Sequence, residues 1–324
     1  MKLKVALVGI GGMGKNHFNI YKKFDDIEFV AACDVRQERL DLAASERPDM
    51  HFYTDYAEML EKEKPDVVDI STPTYLHAEQ AIAAMRAGAH VLCEKPMALN
   101  SDETAAIIAE AKKTGKTFMA AHVVRFMKAY AYLADAIKTQ KHGKLVKLML
   151  RRISETPTWS WENWFLDKAR SGHTVLDLMI HDIDFMQSLL GEPKDIVGAH
   201  YEYKDDSNFA SAVYIYDGCS VTIDSGWFRG KPKFTADFFA VFENGYIQTD
   251  GKTLVECGTP VELKKEDTIR SSGINISDAD GYTAECRYFL DCIREGRSPD
   301  FVTPESSAAS VALVEKTIEK LVKI

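Results

Sequence analysis

The chain has 324 residues, more than one ordinary domain holds and enough for two cores. Hydrophobic residues at 46%, charged at 27% and aromatic at 10% are globular values, which excludes disordered, collagenous and small disulfide-stapled classes. Forty Lys and Arg against 49 Asp and Glu leave a net charge of -9, the wrong sign for a surface that neutralises a phosphate backbone, so no nucleic-acid partner is expected.

The lysines and short apolar run at the N-terminus read as a first strand, because Gly9 and charge follow where a signal peptide would continue. No run approaches the ~18 apolar residues that a membrane span needs. The six cysteines (Cys33, Cys93, Cys219, Cys257, Cys286, Cys292) are scattered, with neither a C-x-x-C pair nor a Cys/His cluster of the kind structural zinc requires. The expectation is a reduced, cytoplasmic protein with no metal site and no membrane partner.

From residue 1 to 122, short apolar runs (Val5 to Val8, Glu28 to Cys33, Val67 to Ile70, His90 to Cys93, Thr117 to Ala121) alternate with helix-like stretches. That alternation predicts a doubly wound parallel sheet. The alanine-rich stretch from Tyr75 to Ala87 predicts a helix that Gly88 stops. Past residue 123, a helix over 130–140 precedes strands over 145–155, 196–203, 209–216, 220–228 and 235–242, and Asp217-Gly218 and Asn244-Gly245 supply turn chemistry. One strong helix is expected over 175–190 and a last one over 304–322. The fold class is therefore α/β, with a Rossmann domain over 1–122 and an α+β domain with a large, mainly antiparallel open sheet over 123–324. The last helix is a candidate to pack back on the first domain.

Directly after the first strand stand Gly9, Gly11, Gly12, Met13 and Gly14, with a helix-compatible stretch beyond. Asp34 ends the second strand, about twenty residues on, which is the spacing of a dinucleotide fingerprint. Gly9 permits a sharp turn, Gly11 a close approach of backbone to pyrophosphate, and Gly14 close packing of helix on strand, while the helix N-terminus favours the anion. Asp34 suits an unmodified ribose and so NAD, whereas Arg36 offers an alternative hold on the 2′-phosphate of NADP.

Thr72-Pro73 with His77, and Glu94-Lys95-Pro96, follow predicted strands and so fall at the carboxyl edge of the sheet, where doubly wound folds bind ligands. Lys95 reads either as a solvated charge or as a working cation. In the predicted 175–190 helix, Asp177, His181 and Asp184 fall within about 60° of one another on a wheel that is otherwise largely apolar. A buried ionisable stripe is a site candidate, a structural Asp–His pair, or, at i and i+4, part of a metal site, although no third ligand is evident nearby. Asp182 lies off the stripe without an evident reason.

With these residues in view, the chain resembles the glucose–fructose oxidoreductase and inositol dehydrogenase family, Gfo/Idh/MocA, over essentially its full length. The resemblance runs through the glycine loop, Asp34, Thr72-Pro73, Glu94-Lys95-Pro96 and Asp177-x-x-x-His181-x-x-Asp184 to the segment between Tyr282 and Pro304. It implies an NAD(P)-dependent dehydrogenase acting on a secondary alcohol of a sugar or polyol. Lys95, Asp177 and His181 are then catalytic, Arg125 and Trp164 join Asp177 and His181 in binding substrate, and the assembly is a homodimer or homotetramer. Two departures bear on substrate identity: Ser171-Gly172-His173 stands where consecutive glycines are common, and His122-Val123-Val124-Arg125 stands for an Asn-x-Arg pattern. Trp159, Trp161, Trp164 and Phe165 are either flat faces for a sugar ring or loop packing. Two rival readings remain: a non-catalytic dinucleotide sensor, for which Lys95 and His181 together have no use, and an enzyme that keeps NAD bound for a transient oxidation.

Overall fold

The first strand, β1 (Leu3–Val8), is buried on both faces from Val5 onward, as a central strand of a parallel sheet must be. Around it alternate α1 (Gly12–Tyr21), β2 (Ile27–Cys33), α2 (Gln37–Glu46), β3 (His51–Tyr53), α3 (Tyr56–Glu63), β4 (Val67–Ile70), α4 (His77–Arg86), β5 (His90–Glu94), α5 (Ser101–Thr114) and β6 (Phe118–Ala121). All pairings are parallel, and the strand order β3-β2-β1-β4-β5-β6 is that of the doubly wound dinucleotide fold. The short strand β3 is absent from the sequence reading, since three residues carry too little alternation to register. The helix expected from Tyr75 begins with a 3-10 turn at Thr74–Leu76 and becomes α-helical at His77.

The computed structural model describes residues 2–203, 208–263 and 279–324. Among these the chain forms two units, 2–122 with 279–308, and 123–263 with 309–324. The second unit contains α6 (Lys128–Lys138), β7 (Leu145–Glu155), α7 (Lys168–Ser171), α8 (His173–Asp177), α9 (Ile180–Leu190), β8 (Asp195–Glu202), β9 (Asn208–Ile215), β10 (Ser220–Phe228), β11 (Thr235–Phe242), β12 (Gly245–Thr249), β13 (Leu254–Glu256) and β14 (Thr259–Val261). The chain then supplies α10 (Ala279–Glu295) to the first unit, followed by α11 (Pro304–Lys320), within which the unit boundary falls, and β15 (Leu321–Lys323).

The second sheet has nine strands in the order β14-β13-β12-β11-β7-β10-β9-β8-β15. It is mainly antiparallel, with hairpins at Asp217-Gly218 and Asn244-Gly245, but β7 pairs with β10 and β8 with β15 in parallel. Its alternation is clean: Phe238, Ala240 and Phe242 are buried, while Asp237, Phe239 and Val241 are half-buried on the other face. Helices cover the buried face, where Tyr130 meets Phe238 and Phe185 edge-on at 5.2 and 5.0 Å and Tyr214 hydrogen-bonds Thr317 of α11 at 3.0 Å.

One expectation is corrected here. The single helix over 175–190 is two, α8 and α9, because Leu178 and Met179 both donate to the Thr174 carbonyl and interrupt the regular ladder. The first unit also contains α10, which lies against α1 and β5, buries Cys286, Phe289 and Leu290, and corresponds to no element of the sequence reading.

Candidate active site

In the first unit β1 delivers the chain to Gly9, whose φ of +85° no ordinary side chain favours; a Cβ there would stand 2.7 Å from the Ser71 carbonyl oxygen. Gly14 is just as constrained, since its Cβ would lie 1.8 Å from the Gly9 carbonyl oxygen. Gly11 is different: a Cβ there meets only an Arg36 terminal nitrogen at 3.8 Å. The fold therefore does not need glycine at 11, and the open space over that backbone is where a pyrophosphate can approach. Behind it α1 begins with no side-chain cap and no acidic residue in its first turn, so its N–H groups and dipole face an anion without a competitor of the helix's own. Met13, the second residue of α1, is half-buried.

Asp34, buried at the end of β2, accepts the Ile10 N–H at 2.7 Å and the Arg36 N–H at 2.9 Å. Its carboxylate also receives the Arg36 guanidinium at 3.2 and 3.3 Å. Arg36, the candidate for a 2′-phosphate, is thus folded back onto the carboxylate that favours a bare ribose.

The Thr72 hydroxyl donates to Gln80 at 2.6 Å. His77, expected at the cofactor, turns both ring nitrogens to backbone carbonyls, Pro96 at 2.8 Å and Thr72 at 2.9 Å. It pins the loop carrying Thr72-Pro73 to the one carrying Lys95-Pro96. Burial holds its pKa below the ordinary histidine value, and the neutral ring, with one N–H, donates to one of these two carbonyls at a time. Glu94 ends β5, its Oε2 accepting the Lys95 backbone N–H at 3.1 Å, and the half-buried Lys95 follows at the strand's carboxyl end.

Sequence reasoning did not find the network behind this edge. His17 and Asp69 are fully buried and joined Nδ1 to Oδ2 at 2.7 Å; the same oxygen accepts the Tyr21 hydroxyl at 2.7 Å, and Oδ1 accepts the Ser71 hydroxyl at 2.9 Å. With Cys286 these residues have the composition of a metal-ligand set, but His17 Nδ1 and both Asp69 oxygens are already spent on one another and on hydroxyls. His17 lies three residues past Gly14, the one local signal available.

In the second unit Asp177 is the last residue of α8 and His181 lies in the first turn of α9. Asp177 is buried and His181 half-buried. The remaining acids of this segment serve other partners. Asp184 accepts Arg125 through two nitrogens at 2.8 and 2.6 Å and Ser310 at 2.9 Å, all in the core. Asp182 forms a two-pronged pair with Arg152 at 3.1 and 2.9 Å, which supplies the reason its position lacked in the sequence. The break at Leu178–Met179 therefore parts Asp177 on α8 from His181 and Asp184 on α9, and Asp184 serves as a structural acid, held by Arg125 and Ser310.

Trp164 is half-buried and stacked on Phe165 at 3.9 Å, and Phe165 meets Trp159 and Trp227 edge-on. The turn is made by Glu162 and Asn163 in left-handed backbone at φ 49° and 51°. Trp159 is the outermost ring, 60% exposed. His173 is tied to the Leu166 carbonyl at 3.0 Å, so its imidazole belongs to this loop.

Comparison with known proteins agrees with this geometry. Residues 3–122 match the model of an oxidoreductase family with an NAD-binding Rossmann fold, and residues 130–248 match the C-terminal domain of the same family, GFO/IDH/MocA. A 4-carboxy-2-hydroxymuconate-6-semialdehyde dehydrogenase of Sphingobium sp. is 26% identical over 92% of both chains. A myo-inositol 2-dehydrogenase of Thermotoga maritima is 30% identical over 61% of this chain, an alignment that spans 58% of the relative's length. The fold superposes on that of scyllo-inositol dehydrogenase from Lactobacillus casei, solved with NAD(H) and scyllo-inositol, with a TM-score of 0.81 at 20% identity over 99% of this chain and 97% of that one. With both domain models matched in order over most of its length, the chain belongs to the Gfo/Idh/MocA family of oxidoreductases with an NAD-binding Rossmann domain.

Proposed function

We propose that this chain is a dehydrogenase that moves a hydride between a secondary alcohol of a sugar or polyol and NAD. One observation carries the reading. Because the first sheet is wholly parallel, Asp34 after β2, the glycine loop after β1, Ser71-Thr72 after β4 and Glu94-Lys95 after β5 lie along one edge in spatial order. That order matches adenosine ribose, pyrophosphate and nicotinamide laid end to end, with a cation at the reacting end.

NAD supplies the hydride acceptor when bound. Lys95 hydrogen-bonds the reacting oxygen and favours its alkoxide character. His181 takes the hydroxyl proton, the general-base role that imidazole most often fills. Asp177 orients that imidazole or a neighbouring hydroxyl. Arg125, which also holds Asp184 through two nitrogens, and Trp164, whose flat ring suits a sugar face, bind the substrate. Residues 1–122 bind the cofactor and residues 123–324 the substrate. Support for sugar and polyol substrates comes from relatives named as inositol, D-glucoside and D-apiose dehydrogenases. Spectrophotometric NADH formation over a panel of polyols, sugars and sugar acids tests the reading, and wild-type turnover in both Lys95→Met and His181→Ala on the active compound sinks it.

The same reading makes the protein a cytoplasmic homo-oligomer. Its six cysteines are all unbridged, and no helix among the described residues is long and apolar enough to cross a membrane. The outward sheet face carries a band of Val213, Thr222, Met149 and Phe239 in register across four strands, with Phe239 stacked on Tyr246 at 5.4 Å. The Arg151–Asp237 pair and Lys147 make this face mixed rather than wholly apolar, which suits an interface between copies of the chain.

A further inference from the structure

Among the buried groups that the proposed mechanism does not use, His17 stands out by position. It projects from α1 between two carboxylates, Asp69 behind it in the core and Glu94 in front at the edge where Lys95 begins. Nδ1 lies 2.7 Å from Asp69 and Nε2 lies 3.3 Å from Glu94 Oε1. The second contact lacks in-line hydrogen-bond geometry, so charge is what makes it attractive. Glu94 spends its other oxygen on the Lys95 backbone N–H. The chain of contacts is therefore Asp69, His17, Glu94, then the Lys95 main chain.

Only an imidazole protonated at both nitrogens presents a proton to each carboxylate. Burial alone pulls the His17 pKa down, but the charge of Asp69, the neighbouring Cys286 and the contacts with Asp69 and Glu94 outweigh it and hold the ring well above the ordinary value. The other titratable groups facing it are Tyr21 on its own helix and Cys286 on α10, both pushed up by burial and neutral near pH 7. Asp69 cannot turn away to relieve a change at His17, because Tyr21 and Ser71 also hold it.

We propose that His17 is a positioning residue for Lys95: it ties Glu94, whose carboxylate grips the Lys95 amide, to the Asp69 anchor in the core, and so fixes the main chain from which the catalytic lysine projects. This rests on the reading of Lys95 as catalytic. A misplacement of about 1 Å at a reacting group costs up to about a hundredfold in rate, so a modest loosening at Glu94 is visible in turnover.

Two substitutions separate the arms. His17→Asn places an amide near Nδ1, keeping a donor for Asp69 and giving up Glu94. His17→Gln reaches the Nε2 position and does the reverse. A purely structural histidine makes Asn the milder change, because Asp69 is the fully buried acid left to satisfy; a positioning histidine makes Gln the milder one. For the sugar or polyol that the wild type oxidises fastest, kcat is expected to fall at least about tenfold in His17→Asn and no more than about threefold in His17→Gln, with KM nearly constant. Equal or higher kcat in His17→Asn, or wild-type kcat in both, overturns the proposal.

Nitrogen NMR of histidine-labelled protein without cofactor gives an independent readout, and it decides the matter if neither variant folds. His17 is expected to carry protons on both nitrogens at pH 7 in the wild type and to lose one in Glu94→Gln; an unchanged signature in Glu94→Gln overturns the tie. Full turnover in Lys95→Met sinks the reading of Lys95 itself, whereas an inactive Lys95→Met with the Asn and Gln order reversed sinks only the role of His17.

Discussion

Alanine at Gly11 and at Gly14 should separate cofactor binding from folding within one loop. At Gly14 the new methyl stands 1.8 Å from the Gly9 carbonyl oxygen and 2.7 Å from its carbon, both rigid backbone, so α1 must move off the turn. Overpacking of this kind costs about 1–3 kcal/mol, and a clash with main chain belongs at the upper end, beyond the ~1 kcal/mol that alanine returns as helix propensity. At Gly11 the methyl meets nothing nearer than 3.8 Å and the φ of -73° suits alanine, so Tm should stay within about 2 °C of wild type. The methyl does occupy the approach to the α1 amides. Losing one charge-assisted hydrogen bond to phosphate costs about 1.5–3 kcal/mol, which is a Kd for NADH weaker by roughly 10- to 150-fold. Differential scanning fluorimetry and NADH fluorescence titration measure the two effects. A folded Gly11→Ala that binds NADH as tightly as wild type refutes the assignment of this loop to pyrophosphate.

Calorimetry should give tighter binding of NAD than of NADP in the wild type, and Asp34→Ala should reduce that preference by releasing Arg36; NADP bound tenfold more tightly by the wild type contradicts the role of Asp34. Arg152→Met leaves the Asp182 charge uncompensated in the core and should cost about 3–5 kcal/mol in urea unfolding, most of it recovered when Asp182→Leu is added, and additive losses would count against the pair. Because the folded pKa of His17 is raised, its stabilisation is fully present below the unfolded value of about 6.5 and fades as pH rises through the folded value. The stability gap between wild type and His17→Gln should therefore be widest near pH 6 and shrink toward pH 9, and a gap that widens with pH has the wrong sign for an imidazolium. Light scattering should give a multiple of the 36.3 kDa chain mass, reduced by Phe239→Glu on the outward sheet face; a wild-type monomer at micromolar concentration contradicts the interface.

The doubly wound half was legible because its signals are local. Each buried strand is a short run of Val, Ile, Ala and Cys, and Gly9, Gly11, Gly14 and Asp34 occupy spacings that backbone geometry dictates. The long strands β7, β10 and β11 were legible too, since alternation over eight or more residues is hard to mistake. Much of what escaped depends on contacts distant in sequence, although one local feature escaped too. The break at Leu178–Met179, where two N–H groups share the Thr174 carbonyl, parts Asp177 from His181, whereas Asp184 stays on the helix of His181 and on a wheel looks like its partner. Its true partner, Arg125, is 59 residues away. Parallel pairing of β7 with β10 and the docking of α10 on α1 leave no mark in local periodicity. His17 and His77 illustrate the limit for site residues: each is defined by acceptors that other strands and loops deliver, Asp69 and Glu94 for one, the Thr72 and Pro96 carbonyls for the other.

Hydride transfer itself tests the account most directly. The protein is incubated with NAD and a panel of polyols and sugars deuterated at their carbinol carbons, and deuterium in the nicotinamide ring is measured by mass spectrometry for wild type, Lys95→Met and His181→Ala. The account predicts deuterated NADH from at least one polyol or sugar in the wild type, with transfer reduced by about 10²-fold or more in each variant. Bound NAD with no deuterium gained from any member of the panel, or transfer at the wild-type rate in both variants, contradicts it.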